Sequence, residues 1–226
     1  MIHWDPMYWL FVLPPFLLGL WAQLRIKINY STAQQLAAPL SGAAAARHIL
    51  DRAGLDNVGI EMVPGHLSDH YDPRDKVLRL SEEVYQSRTL AAVGIAAHEA
   101  GHALQDARAY APLIIRNAAV PLAGFGSGAG IWMLFLGMIL NVQWLLLAGI
   151  IAFAGMVFFQ VINLPVEFNA SSRAKAVLVE LGIIDQEGLY YVNKVLSAAA
   201  MTYVAATLQA IMTLLYYVWR YGSSRD

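Results

Sequence analysis

Between Asn117 and Val166 the chain contains no Asp, Glu, Lys or Arg. A helix needs about twenty apolar residues to cross a bilayer, and this interval is roughly twice that length. The polar break at residues 141–143 provides room for a turn. We therefore predict two transmembrane helices near residues 119–140 and 144–164. Four glycines in the first of these would allow close helix contact: Gly124, Gly126, Gly128 and Gly130.

Two further apolar stretches share this character. Residues 7–24 carry no charge. Residues 198–219 are followed directly by Arg220, and a basic residue at the end of an apolar stretch is common at a membrane interface. Hydrophobic residues make up 58% of the chain, against roughly 45–50% in soluble domains. These features predict four spans. A helix buried in a soluble core is the alternative for residues 7–24. No Lys or Arg precedes that stretch, so we expect it to be retained rather than cleaved as a signal peptide.

The charged residues concentrate in two polar segments. Residues 25–116 hold ten of the fifteen Lys and Arg, and residues 167–197 hold three. In a four-span path both segments fall on one side of the bilayer, and positive charge favours the cytoplasmic side. We therefore expect a mainly α-helical, single-domain protein (residues 1–226) of the plasma membrane. It would have about four spans, a small cytoplasmic layer and both termini outside.

The longer polar segment shows local signals of a folded layer. Residues 41–53 read as a helix ended by Gly54, and Ser87 is a candidate cap for a helix running to about Ala107. Val77–Leu80 alternates like a short β-strand. We expect it to be an edge strand, which could pair with an extended peptide through its main chain.

Composition excludes several classes of function. The chain has no cysteine, so a metal site must use His, Asp or Glu. A formal net charge of −1 provides no basic field for nucleic acid, and no nucleic-acid partner is expected.

One helical segment carries the residues of a zinc site. His98 and His102 are four residues apart, so their imidazoles project from one helix face and can share a tetrahedral zinc ion. Glu99, beside them, could activate a zinc-bound water as general base. The alternative is a chance occurrence of the pattern. Gly94 and Gly101 in the same helix indicate close approach either by a packed helix or by substrate.

A zinc peptidase requires a third protein ligand, and Glu167 is the best candidate. It follows His102 by 65 residues, where the uncharged stretch ends and two antiparallel spans would return the chain to its starting side. The alternative is an ordinary charge at the membrane interface.

Two segments also resemble a known family. Ala97-His98-Glu99-Ala100-Gly101-His102-Ala103-Leu104-Gln105 and Leu164-Pro165-Val166-Glu167-Phe168-Asn169-Ala170-Ser171 resemble the YugP-like family of bacterial membrane neutral zinc metallopeptidases. The resemblance spans nearly the whole chain. It implies one Zn²⁺ per chain, held by His98, His102 and Glu167, with Glu99 as the base.

More distantly, the chain is similar to HtpX-like and CAAX-prenyl membrane proteases, which implies a zincin-like layer. Those families usually place an Asp four residues after the ligand Glu, and this chain has Ser171 there. Either the Ser171 hydroxyl or a carboxylate from elsewhere in the chain could take the role of orienting a histidine ligand.

Other polar residues are weaker candidates. Arg173 could bind substrate or pair with a carboxylate near the metal, or be a solvated surface charge. His70 or Tyr71 could stabilise an oxyanion, although a turn held by Asp69 and Asp72 explains them more simply. A second metal site at His66 and His70 is a further, less favoured possibility.

The sequence thus predicts a zinc-dependent endopeptidase acting on peptide bonds of membrane or membrane-proximal proteins. Its partners would be the lipid bilayer, a polypeptide substrate and, as an option, an accessory membrane protein; the oligomeric state is left open. A catalytically silent zinc-binding scaffold or regulatory partner protein is the main alternative. A transporter or channel subunit is a third, disfavoured because the predicted spans carry no charge.

Overall fold

The four predicted spans coincide with long helical stretches of the chain. The computed structural model describes residues 6–223. Over that range the helices are α1 (Pro6–Gln34), α2 (Gly42–Arg52), α3 (Glu82–Gln86), α4 (Leu90–Ala107), α5 (Ala111–Phe125), α6 (Ile131–Ile139), α7 (Gln143–Glu180) and α8 (Gln186–Ser223). A π-helical segment, Gly126–Gly130, joins α5 to α6.

Four stretches of the described chain are helices long and apolar enough to cross a membrane: Pro6–Gln34, Ala111–Ile139, Gln143–Glu180 and Gln186–Gly222. These stretches confirm the predicted number of membrane-spanning helices, and most of them extend as helices beyond the predicted bounds. The diproline at Pro14 and Pro15 lies inside α1 without ending it. Helices in membranes tolerate such prolines because local adjustments satisfy the freed carbonyl groups.

The turn between α6 and α7 falls at the predicted polar break. Asn141 has a φ of 54°, the left-handed conformation that asparagine adopts more readily than most residues. Val142 N–H donates to the Gly137 carbonyl at 2.9 Å, which closes the turn. The prediction of a tight turn is therefore confirmed.

Glycines set the close packing of this hairpin, but only two of the four predicted positions do so. A Cβ at Gly126 would lie 2.5 Å from the Ala152 carbonyl oxygen, and one at Gly130 would lie 3.1 Å from the Ala152 Cβ. Gly124 and Gly128 have open space where a Cβ would stand. The contact stripe therefore follows the i, i+4 spacing of one helix face.

In the described structure, the longer polar segment contains a three-stranded sheet instead of the single short strand that was predicted. β1 (Gly59–Val63), β2 (His70–Asp72) and β3 (Val77–Ser81) are arranged in the order β1-β3-β2. β3 pairs in parallel with β1 and antiparallel with β2. The predicted strand at Val77–Leu80 is confirmed, but its assignment as an edge strand is wrong. β3 is the central strand, because both of its edges are already paired.

Caps define the ends of α2 and α4. The Ser41 hydroxyl accepts from Ala44 N–H at 3.3 Å, and Gly54 follows with a φ of 71°, as predicted. For α4 the cap is Thr89, whose hydroxyl accepts from Ala92 N–H at 3.2 Å. Ser87 was therefore the wrong candidate. It ends α3 instead, and the predicted C-terminal limit at Ala107 is confirmed.

The described chain divides into two compact units. The apolar unit comprises residues up to Ala22, Ile115–Leu164 and residues from Met201 onward. The polar unit comprises Gln23–Ile114 and Pro165–Ala200. In the polar unit, Leu78 and Leu80 of β3 are fully buried in one hydrophobic core with apolar residues of α2 and α4. That core fixes α4, the helix that carries both histidines.

Candidate metal centre

α4 holds His98 and His102 on one face. The helix is rich in alanine, which has the highest helix propensity and lets neighbouring elements pack closely. The two imidazole centroids are 4.8 Å apart. Their side chains are 15% and 9% exposed, so both are largely shielded while His98 keeps some access to solvent.

Glu167 of α7 meets the two histidines, as the sequence predicted. Its Oε2 lies 3.2 Å from His98 Nε2 and 3.7 Å from His102 Nε2. One ligand atom from each residue lies within 4.8 Å of the others. Around a tetrahedral zinc ion with bonds of about 2.1 Å, ligand atoms are about 3.4 Å apart. The observed spacing and the two-nitrogen, one-carboxylate donor set therefore fit zinc.

Glu99 is buried beside these ligands, at 8% exposure. Among the described residues its carboxylate makes no hydrogen bond, whereas Glu167 is engaged by both histidines. A buried carboxylate without a hydrogen-bond partner is free to accept a proton from a reacting group.

Ser171 occupies the position one helical turn after Glu167. Its Oγ lies 3.1 Å from His98 Nδ1. A neutral His98 with its proton on Nδ1 donates to Ser171 and presents the Nε2 lone pair to a metal. The structure thus brings Ser171, one of the predicted candidates for orienting a histidine ligand, to His98.

Gln105 performs the matching task for His102, and the sequence did not single it out. Its Oε1 lies 3.0 Å from His102 Nδ1. Its Nε2 donates to the Val166 carbonyl at 2.8 Å and to Asn169 Oδ1 at 3.0 Å. Gln105 is fully buried. Only its distance of three residues from His102, on the same helix face, could have indicated this role.

Arg173 does not pair with a carboxylate among the described residues. Its Nε donates to Asn169 Oδ1 at 2.7 Å, and its guanidinium lies over the Tyr110 ring at 6.0 Å. It is therefore neither a simple solvated charge nor a direct partner of the three ligands.

The pKa of His102 is shifted upward in the metal-free site. Burial acts to lower this pKa, but the close contact with Glu167, the charges of Glu99 and Glu167, and the hydrogen bond with Gln105 together outweigh it. The surroundings are therefore strongly negative, as a site for a divalent cation requires.

The remaining candidates have other partners. The Tyr71 hydroxyl donates to Asp106 at 2.7 Å, and burial with this contact raises the pKa of Tyr71. His70 Nδ1 lies 2.8 Å from the Ser68 carbonyl. His66 lies 3.1 Å from Glu83. Among the described residues, the only group of three or more potential ligands is the one around Glu167.

Asp69 and Asp72 stabilise the turns around β2, which was the simpler of the two predicted explanations for these residues. Asp72 accepts from Arg74 N–H at 2.9 Å and pairs with Arg79 at 2.5 Å. Asp69 accepts from Ser81 N–H at 2.8 Å and from its hydroxyl. These contacts account for both aspartates without a catalytic role.

Helix packing explains the two glycines of α4. A Cβ at Gly101 would lie 2.7 Å from the Ala170 carbonyl oxygen of α7. A Cβ at Gly94 would lie 3.0 Å from the Val192 side chain of α8. Gly101 therefore allows the two ligand-bearing helices to approach, and Gly94 accommodates a side chain.

Comparison with known proteins agrees with this geometry. A family model described as "Putative neutral zinc metallopeptidase" matches residues 8–222. The chain is 46% identical over 211 residues to "Putative membrane protease YugP" of Bacillus subtilis (strain 168), an alignment covering 92% of this chain and 94% of that protein. No solved structure matches the chain.

Proposed function

Because the chain belongs to the family described as "Putative neutral zinc metallopeptidase", we propose that it is a zinc-dependent endopeptidase. Its substrates on this proposal are membrane or membrane-proximal proteins. The observation that carries the proposal is the convergence of His98, His102 and Glu167 to within 4.8 Å, with the unbonded carboxylate of Glu99 beside them.

Each site residue has a distinct role in the proposed reaction. A bound zinc ion would supply Lewis acidity, which polarises a carbonyl and lowers the pKa of water. His98, His102 and Glu167 hold the ion. Glu99 accepts a proton from the water nucleophile and passes it to the departing amine. Its burial keeps this carboxylate near the reacting atoms and reduces competition from bulk water.

The membrane context supports the substrate class. The chain is a multi-pass membrane protein with four apolar helices among its described residues, and its relative is named a membrane protease. We place the metal centre on the cytoplasmic side and both termini outside. Thirteen of fifteen Lys and Arg lie in the two polar segments, and this distribution supports that orientation.

In the sequence, the absence of an Asp four residues after Glu167 was an argument for a catalytically silent zinc-binding scaffold. The contact of Ser171 with His98 at 3.1 Å weakens that argument, because the histidine already has an orienting partner. The two functions differ in one observable, since both require metal and only the peptidase cleaves.

The proposal is tested with the full chain purified in detergent. We expect about one zinc per chain, cleavage of an unfolded protein substrate, and loss of cleavage on chelation with recovery on zinc addition. Glu167→Ala should lose zinc. Glu99→Gln should keep zinc and lose activity by about 10²- to 10⁴-fold, the usual contribution of general-base catalysis. Zinc with no cleavage by the wild type would favour the scaffold, and a fully active Glu99→Gln protein would exclude this base.

A further inference from the structure

Three residues outside the ligand set form a chain of hydrogen bonds that ends at His102. We infer that Arg173, Asn169 and Gln105 act in sequence as positioning residues that hold His102 with its proton on Nδ1. This inference rests on the proposed zinc ligation by His102. In the Nδ1–H tautomer the Nε2 lone pair is available to a metal.

Among the described residues, Arg173 contacts Asn169 and Tyr110 and none of the three metal ligands. Successive residues of a helix are rotated by about 100°, so Arg173, six residues after Glu167, lies about 240° around the helix axis. Asn169 lies at about 200° on the same scale and shares the face of Arg173. An effect of Arg173 on the site must therefore pass through an intermediate residue.

Gln105 has a single favourable amide orientation. Both of its N–H hydrogens are used, by the Val166 carbonyl at 2.8 Å and by Asn169 Oδ1 at 3.0 Å. Both partners are acceptors only at those atoms. A rotated amide would bring three oxygens together and turn an NH₂ toward His102. The observed orientation presents Oε1 to His102 Nδ1, which must then be the protonated nitrogen.

Asn169 depends in turn on Arg173. Asn169 Oδ1 accepts from both Gln105 Nε2 and Arg173 Nε, the latter at 2.7 Å. Arginine has no acceptor atom and stays charged, so it can only donate. A rotated Asn169 would set its NH₂ against two donors. Arg173 thereby fixes the acceptor side of Asn169 toward Gln105.

Arg173 is itself held in place. Its guanidinium lies over Tyr110 at 6.0 Å, and the Tyr110 backbone N–H donates to the Gln105 carbonyl at 3.0 Å. The cation therefore belongs to the same packed group as the glutamine. Within the described part of the chain it has no carboxylate partner that could draw it elsewhere.

The test compares zinc affinity, by competition with a chromophoric chelator, across single and double variants of the full chain. Gln105→Leu should weaken zinc binding about tenfold to a hundredfold, as is typical for residues behind a metal ligand. Arg173→Met should weaken it about twofold to tenfold, the worth of one hydrogen bond. The Arg173→Met effect should disappear in the Gln105→Leu background. Lys175→Met, on the same helix but bonded to Asn193, is the matched control and should bind zinc normally.

A spectroscopic readout separates positioning from general packing. In the zinc-free protein, at a pH above the folded pKa of His102 so that the ring carries a single proton, ¹⁵N shifts of His102 should show that proton on Nδ1 in the wild type and a mixture of tautomers in Arg173→Met. Asn169→Asp should preserve the wild-type pattern, because a carboxylate still accepts from both donors. An Arg173→Met effect that persists without Gln105, or an unchanged tautomer, overturns the inference. Wild-type protein that binds no zinc, or binds it equally after His102→Ala, overturns the proposed ligation instead.

Discussion

His98 relies on one hydroxyl for its orientation, whereas His102 is held by a buried amide with two further anchors. A serine hydroxyl rotates freely and bonds more weakly to an imidazole N–H than a carboxylate would. The site therefore has one firmly fixed histidine and one that is less constrained.

Removal of the Ser171 hydroxyl should reveal this difference. We expect Ser171→Ala to lower zinc affinity about twofold to tenfold, since one hydrogen bond to a ligand is lost and the ring gains freedom. Chelator competition measures the change. Ser172→Ala, at the next and exposed position, should leave zinc affinity unchanged. Equal effects of the two substitutions would show that the His98 contact does not orient the ring.

The raised pKa of His102 gives the zinc-free protein a pH-dependent stability. A folded-state pKa above the unfolded value of about 6.5 stabilises the fold fully below that value, and the contribution is lost as pH rises through the folded pKa. In zinc-stripped protein, the melting temperature of wild type relative to His102→Gln should therefore fall as pH increases above about 6.5. Zinc affinity should rise over the same interval, because the ligand must be unprotonated. If the difference in melting temperature between wild type and His102→Gln does not change with pH, the pKa of His102 is not raised in the folded protein.

Among the secondary-structure elements, the contact of α4 with α7 has the tightest backbone approach at the site. Gly101→Ala should cost about 1–3 kcal/mol, because the new methyl group would lie 2.7 Å from a carbonyl oxygen that cannot rotate away. Gly94→Ala, on the same helix, would meet the Val192 side chain at 3.0 Å instead of a backbone atom and should cost less. Reversible unfolding in mild detergent measures both. A larger loss for Gly94→Ala would mean that α8 constrains α4 more than α7 does.

Sequence patterns predicted elements whose signals are local. Ser41 and Gly54 marked both ends of α2, and the His98–His102 spacing marked a helix face. The central position of β3 in the sheet has no local signal, because it depends on pairing with β1 and β2, which are distant in the chain or very short. β2 has three residues and no alternation. Thr89 and Ser87 are both able to cap a helix, and only the structure shows which hydroxyl reaches an open N–H.

Gln105 was missed for a related reason. A glutamine on a helix is usually a solvent-exposed residue with good helix propensity, so its type carries no functional signal. Its role comes from α7, which supplies the Val166 carbonyl and Asn169 sixty or more residues later in the chain.

At the scale of the whole molecule, the uncharged stretch and the two other apolar segments were enough to predict four spans and a mainly helical membrane protein. The family match over residues 8–222 confirms the resemblance seen in the sequence. The helices are longer than the predicted spans. α7 and α8 continue as helices into the polar segments, where hydropathy no longer distinguishes helix from loop. The single-domain organisation and the orientation in the membrane stay predictions.

Orientation can be measured cleanly because the chain has no cysteine. We expect Gln143→Cys, exposed in the turn region between two spans, to react with a membrane-impermeant maleimide in intact cells. Arg52→Cys, exposed at the end of α2, should react only after permeabilisation. The reverse pattern would place the metal centre outside the cytoplasm.

Because glycine has no side chain, Gly101 also affects which ions the site can select. With only a hydrogen atom between α4 and the Ala170 carbonyl, the histidines of one helix and the carboxylate of the other are held at a short, fixed separation. Zinc forms bonds of about 2.0–2.2 Å, whereas calcium prefers about 2.3–2.6 Å and more oxygen ligands. A separation enforced by backbone contact cannot widen easily. The site would therefore discriminate by ionic radius as well as by the nitrogen ligands that it offers.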